Sequence, residues 1–118
     1  EFRRVLFRSS TGHANTARDM LSRLEMMIRM GIDLPITAMR SQIATGIDIL
    51  VHLGRLRDGS RRVLSVTELV GISSDGEIVM NELYGRIRQP DGTEELVRTG
   101  ELKNRDKLYR AEHILSGE

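Results

Sequence analysis

Three Asp-Gly dipeptides divide the second half of this 118-residue chain: Asp58-Gly59, Asp75-Gly76 and Asp91-Gly92. Each lies between segments that are rich in apolar and β-branched residues. Because Asp-Gly favours the tight turns of antiparallel hairpins, the spacing predicts strands over residues 47–53, 62–70, 77–88 and 93–99. The first of these, residues 47–53, is a nearly continuous apolar run, which predicts a buried strand.

The first half of the chain has helical periodicity instead. Apolar residues recur along one face of a helix between Ala17 and Ile28. Thr16 and Asp19 have nearly the spacing of a capping box, and Gly31 ends the helix. Pro35 opens a second, shorter helix. The sequence therefore predicts an α/β chain with two helices, one buried strand and then antiparallel hairpins.

Composition excludes several classes of protein. Hydrophobic residues make up 39% of the chain and charged residues 30%, which is typical of a globular domain. The absence of cysteine excludes a disulfide framework and a thiolate metal site, and it suits a reducing cytosol. The three histidines, at positions 13, 52 and 113, lack the spacing of zinc ligands. We therefore expect no metal site formed by this chain alone.

Charge is distributed unevenly along the chain. Residues 1–62 have eleven arginines against six acids, a net charge of +5, whereas residues 63–118 have seven basic residues against eleven acids, a net charge of −4. Acids interrupt the basic half, and aromatic residues are only 3% of the chain, so we expect no nucleic-acid partner.

Residues 1–9 show no helix cap, no hydrophobic periodicity and no signal-peptide cleavage site, and Leu6-Phe7-Arg8-Ser9 matches a translated sequencing adaptor. We expect this segment to be a non-native start, or else a short basic strand.

The segment Ser10–Asn15 directly precedes the first long helix. Its small residues let the backbone approach a ligand, and the following helix N-terminus supplies free N–H groups. An imidazole at His13 can donate a hydrogen bond to a phosphate oxygen there. The residues alone favour an exposed loop histidine beside a helix cap over this role.

Four arginines flank the turn at 58–59: Arg55, Arg57, Arg61 and Arg62. One interpretation is a cluster at a subunit interface or close to a nucleotide, with Arg55 and Arg57 as the nucleotide contacts. The other is a solvated hairpin whose arginines pair with Asp58 and Glu68. His52 lies inside the apolar run, and we expect it to be a core or edge residue rather than a ligand.

Residues 10–27 (STGHANTARDMLSRLEMM) resemble the His box and the following helix of CpaF-type pilus-assembly ATPases. These enzymes belong to the type II/type IV secretion ATPase superfamily. The resemblance continues over residues 36–46 and is most specific over residues 47–71, in IDILVHLGRLRDGSRRVLSVTELVG. Residues 75–84 resemble the strand that follows. The resemblance therefore covers about residues 10–84.

This resemblance implies that residues 10–118 are the C-terminal part of a RecA-like P-loop ATPase domain. Such a domain forms a hexameric ring that powers pilus assembly or type II/IV secretion by ATP hydrolysis. The ring is cytoplasmic and sits against platform proteins of the inner membrane. The resemblance also implies ATP and Mg²⁺ as cofactors of the full-length enzyme, and it places His13 near the γ-phosphate with Thr11 and Asn15 as neighbours.

The Walker A loop, the Asp box and the Walker B glutamate of this family lie upstream of the position of Ser10. The chain has only two lysines, Lys103 and Lys107, and neither follows a glycine as a phosphate loop requires. The 118-residue chain alone is therefore predicted to be inactive. Two alternatives stay open: a stand-alone module that binds anions or nucleic acid, and a non-hydrolysing structural paralogue within the ring.

Overall fold

A computed structural model describes residue 12 and residues 14–106 of the chain. Its elements are α1 (Ala17–Gly31), α2 (Ile36–Gly46), β1 (Ile49–Arg55), β2 (Arg61–Ile72), β3 (Ile78–Arg88) and β4 (Glu94–Arg98). The strands form one antiparallel sheet in the order β1-β2-β3-β4. The predicted arrangement of two helices followed by antiparallel hairpins is confirmed. Neither helix in this part of the chain is long and apolar enough to span a membrane.

A reciprocal cap starts α1 at the predicted residue. The Thr16 hydroxyl accepts a hydrogen bond from the Asp19 N–H at 3.0 Å, and the Asp19 carboxylate accepts one from the Asn15 N–H at 3.2 Å. Leu21 is the only residue of α1 that is fully buried. The predicted apolar stripe is too wide, because Met27 at its side is 59% exposed, whereas Leu24 and Ile28 pack against the core. The helix contacts the core through a narrower face than its sequence suggests.

The core is small and lies where the helices cross the middle of the sheet. It is made of Leu21, Met39, Ile43, Leu69 and Ile78. Arg40 on α2 joins the layers at its margin, because its guanidinium contacts Glu25 on α1 at 2.8 Å and Glu77 beside β3 at 3.3 Å. The same side chain donates to the Gly76 carbonyl at 3.1 Å.

The three Asp-Gly turns share one geometry. In the first, the Gly59 N–H donates to the Leu56 carbonyl at 2.9 Å, and Gly59 has a φ of +87°, which favours glycine. The Asp58 carboxylate accepts hydrogen bonds from the Ser60 hydroxyl at 2.6 Å and from the Ser60 N–H at 2.9 Å. These bonds, together with the charge of Arg62, hold the pKa of Asp58 below its usual value. The turns at 75–76 and 91–92 repeat the backbone pattern.

The first strand differs from its prediction. It covers Ile49–Arg55 rather than residues 47–53, and it is an edge strand with one exposed face. Ile49, Val51 and Leu53 are 40%, 55% and 63% exposed, whereas Leu50 faces the core. A continuous apolar run corresponds to a buried strand only where both faces of the sheet are covered. In the described residues the helices cover one face, so the prediction of a buried strand is wrong here.

Candidate functional site

Part of the predicted ligand loop, residues 12, 14 and 15, lies within the described structure. His13 and Thr11 lie outside the described residues. Asn15 is exposed, and its N–H is committed to the Asp19 carboxylate. This bond fixes the direction in which the loop enters α1. The structure therefore shows how the chain enters α1 after the predicted site, and the role of His13 stays a prediction.

An open cleft of about 490 Å³ lies between the N-terminus of α1 and the helix-facing side of the sheet. Its walls are Thr16, Ala17 and Arg18 from α1, His52 from β1, Leu64, Ser65 and Thr67 from β2, and Met80 and Glu82 from β3. Six of these nine side chains are polar or charged. We call this feature the α1 cleft. It lies beside the apolar core and is continuous with it through Met80.

Strand register brings the polar side chains of the α1 cleft together. His52 is directly opposite Ser65, and Thr67 is opposite Leu50 on one side and Glu82 on the other. Side chains of directly opposite residues share one face of a sheet. Because Leu50 packs against the core beneath the helices, Thr67 and Glu82 lie on the same helix-facing side.

Thr67 is the most informative residue of the α1 cleft. Its side chain belongs to a residue that is only 5% exposed, yet its hydroxyl has no hydrogen-bond partner in the described part of the chain. No side-chain polar atom there is both fully buried and unpaired, so this hydroxyl opens into the cleft that Thr67 lines. Buried hydroxyl groups normally have a partner. The His52 imidazole and the Ser65 hydroxyl lie on the same wall. Neither has a hydrogen-bond partner among residues 14–106.

The other wall of the α1 cleft offers backbone hydrogen-bond donors and one positively charged side chain. The Thr16 hydroxyl satisfies the Asp19 N–H, whereas the N–H groups of Ala17 and Arg18 belong to the first turn and have no intrahelical acceptor. The Arg18 side chain adds a full positive charge. Two acids oppose it: Glu82 on the sheet wall, and Asp19 in the first turn of the helix.

The hairpin arginines form a separate basic surface. Arg55 and Arg61 are directly opposite each other on β1 and β2, and both are exposed. Neither they nor Arg57 form an ion pair with any described residue. Neither Arg55 nor Arg57 lines the α1 cleft.

Of the alternative in which the arginines belong to a solvated hairpin, only the pairing with Glu68 is wrong: the arginines are exposed, and the charge of Arg62 helps to lower the pKa of Asp58. Glu68 is 2% exposed, and its carboxylate accepts hydrogen bonds from the N–H groups of Lys103 and Asn104 at 2.9 and 2.8 Å. The Asn81 side-chain amide donates a third at 3.1 Å. A glutamate within a strand resembles any exposed acid in sequence, and its backbone donors lie 35 and 36 residues further along the chain. No local pattern identifies such a contact.

The site residues that sequence reasoning missed are His52, Ser65 and Thr67. His52 was expected to be a core or edge residue, and it is indeed on the edge strand, but its side chain lines the α1 cleft. Alternation along β1 and β2 could have placed these three residues on one face. The bulge at His52/Leu53 and the position of α1 over that face could not be read from the sequence.

Neither metal-site geometry nor similarity to known proteins adds an assignment. Among residue 12 and residues 14–106, no three His, Asp or Glu side chains converge in a way that could hold a metal ion. A scan against protein-family models gives no match for the chain, and a comparison with curated proteins gives none either.

Proposed function

We propose that this chain is the C-terminal part of a RecA-like ATPase domain of the type II/type IV secretion superfamily. In this proposal the whole protein forms a hexameric ring that hydrolyses ATP to power pilus assembly or protein secretion. One observation supports it most: the segment that resembles the His box leads directly into a capped helix whose first turn opens on a cleft lined by hydrogen-bond donors. A loop held in this way can present a side chain to a phosphate group.

The roles of the loop residues follow from that arrangement. His13 would contact the γ-phosphate, with Thr11 and Asn15 as neighbours. Because the Asn15 N–H is bound to Asp19, the backbone that leads from His13 into α1 is fixed at its last residue. The cap therefore acts as a positioning element for the proposed sensor.

The described residues suit the phosphates of ATP better than they suit Mg²⁺. The first turn of α1 offers N–H groups and the Arg18 guanidinium, which are donors for phosphate oxygens. No convergent group of carboxylates lies in the same part of the chain. Mg²⁺, which offsets phosphate charge during phosphoryl transfer, is therefore assigned in this proposal to residues of the longer protein upstream of Ser10.

The hairpin arginines supply the proposed contact between subunits. Two like charges directly opposite each other across strands are destabilising unless something neutralises them. Arg55 and Arg61 have this arrangement and lack a carboxylate partner among the residues described. We assign Arg55 and Arg57 to an anionic group on a neighbouring subunit, its bound nucleotide being the first candidate. The ring would act at the cytoplasmic face of the inner membrane with platform proteins of the pilus or secretion system.

The complete reading frame tests this proposal. We expect it to contain a Gly-Lys-Ser/Thr loop upstream of codon 10, and the purified full-length protein to hydrolyse ATP in the presence of Mg²⁺. The 118-residue chain, measured beside it, should show no turnover above background. A full-length frame without that loop, or Mg²⁺-dependent turnover by the contaminant-free 118-residue chain, would contradict the proposal.

The second candidate is a stand-alone anion-binding or nucleic-acid-binding module, and the unpaired Arg55–Arg61 pair favours it specifically. Binding to DNA would weaken steeply with salt, because each phosphate contact releases counterions. Salt-dependent DNA binding by the 118-residue chain, reduced by Arg55→Gln, would support the module. A ring-forming full-length protein that lacks the phosphate-loop lysine would instead identify a non-hydrolysing paralogue.

A further inference from the structure

We propose that the α1 cleft is a binding site for the phosphoryl group of a small-molecule ligand, with Thr67 and His52 as donors from the sheet and the first turn of α1 as the donor from the helix. The ATPase proposal assigns no role to Thr67 or His52. It shares the first turn of α1 and Arg18 with that proposal and rests on it in this respect. Binding by Thr67 and His52 variants of the 118-residue chain tests it apart from ATP hydrolysis by the full-length protein.

The helix wall supplies the first half of the argument. A helix N-terminus attracts anions because its first N–H groups lack acceptors and its dipole is positive there. In α1 the cap uses the Asp19 N–H but leaves those of Ala17 and Arg18. Both residues line the α1 cleft, as does the residue that caps them, Thr16.

The sheet wall supplies an independent second half. Thr67 is only 5% exposed and lines the same cleft. Its hydroxyl has no hydrogen-bond partner among the described residues. Its hydroxyl needs an acceptor that comes from outside this part of the chain. His52 and Ser65, opposite each other on β1 and β2, add an imidazole and a second hydroxyl beside it. Such groups commonly bind phosphate oxygens.

The size and charge of the α1 cleft define the ligand further. At about 490 Å³ the cleft falls within the range of small-molecule sites and is larger than a single phosphate ion requires. Glu82, opposite Thr67 at the exposed edge of the cleft, would repel a phosphoryl group. It therefore limits affinity, and its removal should strengthen binding of the anion. Asp19, in the same turn of α1 as Arg18, also opposes the anion, although its carboxylate accepts a hydrogen bond from the Asn15 N–H.

The experiment uses the 118-residue chain with three probes: inorganic phosphate, AMP and ATP. Binding is followed through the imidazole NMR resonances, with His52→Gln identifying the resonance of His52. We expect a saturable shift of that resonance with all three probes. If AMP or ATP binds at least tenfold more tightly than inorganic phosphate, nucleotides are the source of the phosphoryl group. If all three probes bind with equal affinity, the ligand is free phosphate.

Matched variants make the test specific. Thr67→Val keeps the side-chain shape and should weaken binding about tenfold, the loss expected of one hydrogen bond to a charged acceptor. Thr37→Val, an exposed helical threonine outside the cleft, should leave binding unchanged. Arg18→Gln should weaken binding and Glu82→Gln should strengthen it, whereas Arg29→Gln in the last turn of the same helix should do neither.

Three outcomes would overturn the inference. They are the absence of a saturable shift at His52 with every probe, equal affinities of Thr67→Val and the wild type, and equal losses in Arg18→Gln and Arg29→Gln. Equal losses in the two arginine variants would mean that Arg18 affects binding only through the net charge of the protein. Thermal unfolding of each variant, measured in parallel, separates loss of the site from loss of the fold.

Discussion

The buried carboxylate of Glu68 accepts a hydrogen bond from the backbone N–H of Asn104 at 2.8 Å, across 36 residues of sequence. Lys103 donates a second backbone N–H to the same carboxylate, and the Asn104 side chain donates to the Val70 carbonyl at 3.0 Å. Glu68 thus fastens the segment after β4 to the side of β2. A buried charge is tolerated when its hydrogen bonds are made, and here three donors supply them.

Glu68→Gln should change how stability depends on pH. Burial by itself would raise the pKa of Glu68, but the hydrogen bonds from Lys103, Asn104 and Asn81 outweigh it and hold the pKa below the usual value of 4.5. A lowered pKa in the folded state stabilises the protein above the unfolded-state pKa, and this contribution is lost as the pH falls through the folded-state value. We expect the variant to be about 1–2 kcal/mol less stable at pH 7.

Urea unfolding at a series of pH values tests this prediction. The difference in unfolding free energy between wild type and Glu68→Gln should shrink as the pH falls from about 5 toward 3. Glu94→Gln, an exposed acid on β4, serves as the control and should show little difference at any pH. A difference between wild type and Glu68→Gln that stays constant from pH 7 to pH 3 would mean that its charge does not contribute.

Gly100→Ala should destabilise the protein, because a Cβ atom at this position would come closer to the Glu82 carbonyl oxygen than van der Waals contact allows. The neighbouring backbone cannot easily move, since the Thr99 N–H donates to the Leu83 carbonyl at 2.8 Å. We expect a loss of about 1–3 kcal/mol. Gly46→Ala is the matched control: it ends α2, has open space around its Cβ position, and should stabilise by about 0.5 kcal/mol. Equal thermal midpoints for the two variants would contradict the close approach at Gly100.

Local chemistry explains why much of the fold was predictable. The cap between Thr16 and Asp19 and the three Asp-Gly turns depend on residues at most four positions apart, so their sequence patterns are sufficient. The position of β1 at the sheet edge depends on what covers its second face, which a run of apolar residues does not specify. Met27 is exposed for the same kind of reason: periodicity identifies the apolar side of α1 but not how wide a strip of that side the core covers.

The candidate site was less predictable than the fold. The sequence indicated the end of the loop at Asn15 and the basic hairpin at Arg55, and both are exposed as a ligand contact requires. It did not indicate that the first turn of α1 lies over His52 and Thr67, since that contact depends on tertiary packing between segments about 35 and 50 residues apart. The Thr67 hydroxyl, which has no partner among residues 14–106, is noticeable only once its burial is known.

The exposed apolar face of β1 should make the 118-residue chain self-associate. Val51 and Leu53 are 55% and 63% exposed on an edge strand, and edge strands with apolar side chains readily pair with other chains. We expect the apparent mass in sedimentation to rise with concentration and the double variant Val51→Thr, Leu53→Lys to lower it. The same double substitution on an internal strand would disrupt the core, whereas here the thermal midpoint should change little. A wild-type chain that stays monomeric at high concentration would contradict the prediction.

His13→Ala in the full-length protein should lower ATP turnover while leaving ATP affinity and ring assembly nearly unchanged. If His13 contacts the γ-phosphate, its hydrogen bond strengthens as charge develops in the transition state. Loss of such a bond in a water-poor site costs about 2–4 kcal/mol, or roughly 30- to 1000-fold in rate. If His13 is an exposed loop residue without that role, its substitution should change the free energy of unfolding by about 0.5 kcal/mol or less and turnover hardly at all.

Asp19→Ala is the informative companion variant, because it removes the acceptor of the Asn15 N–H and leaves the imidazole in place. Loosening this anchor should give a smaller loss of turnover in the same direction. Steady-state rates decide the matter: wild-type turnover in His13→Ala would exclude the sensor role, whatever the effect of Asp19→Ala.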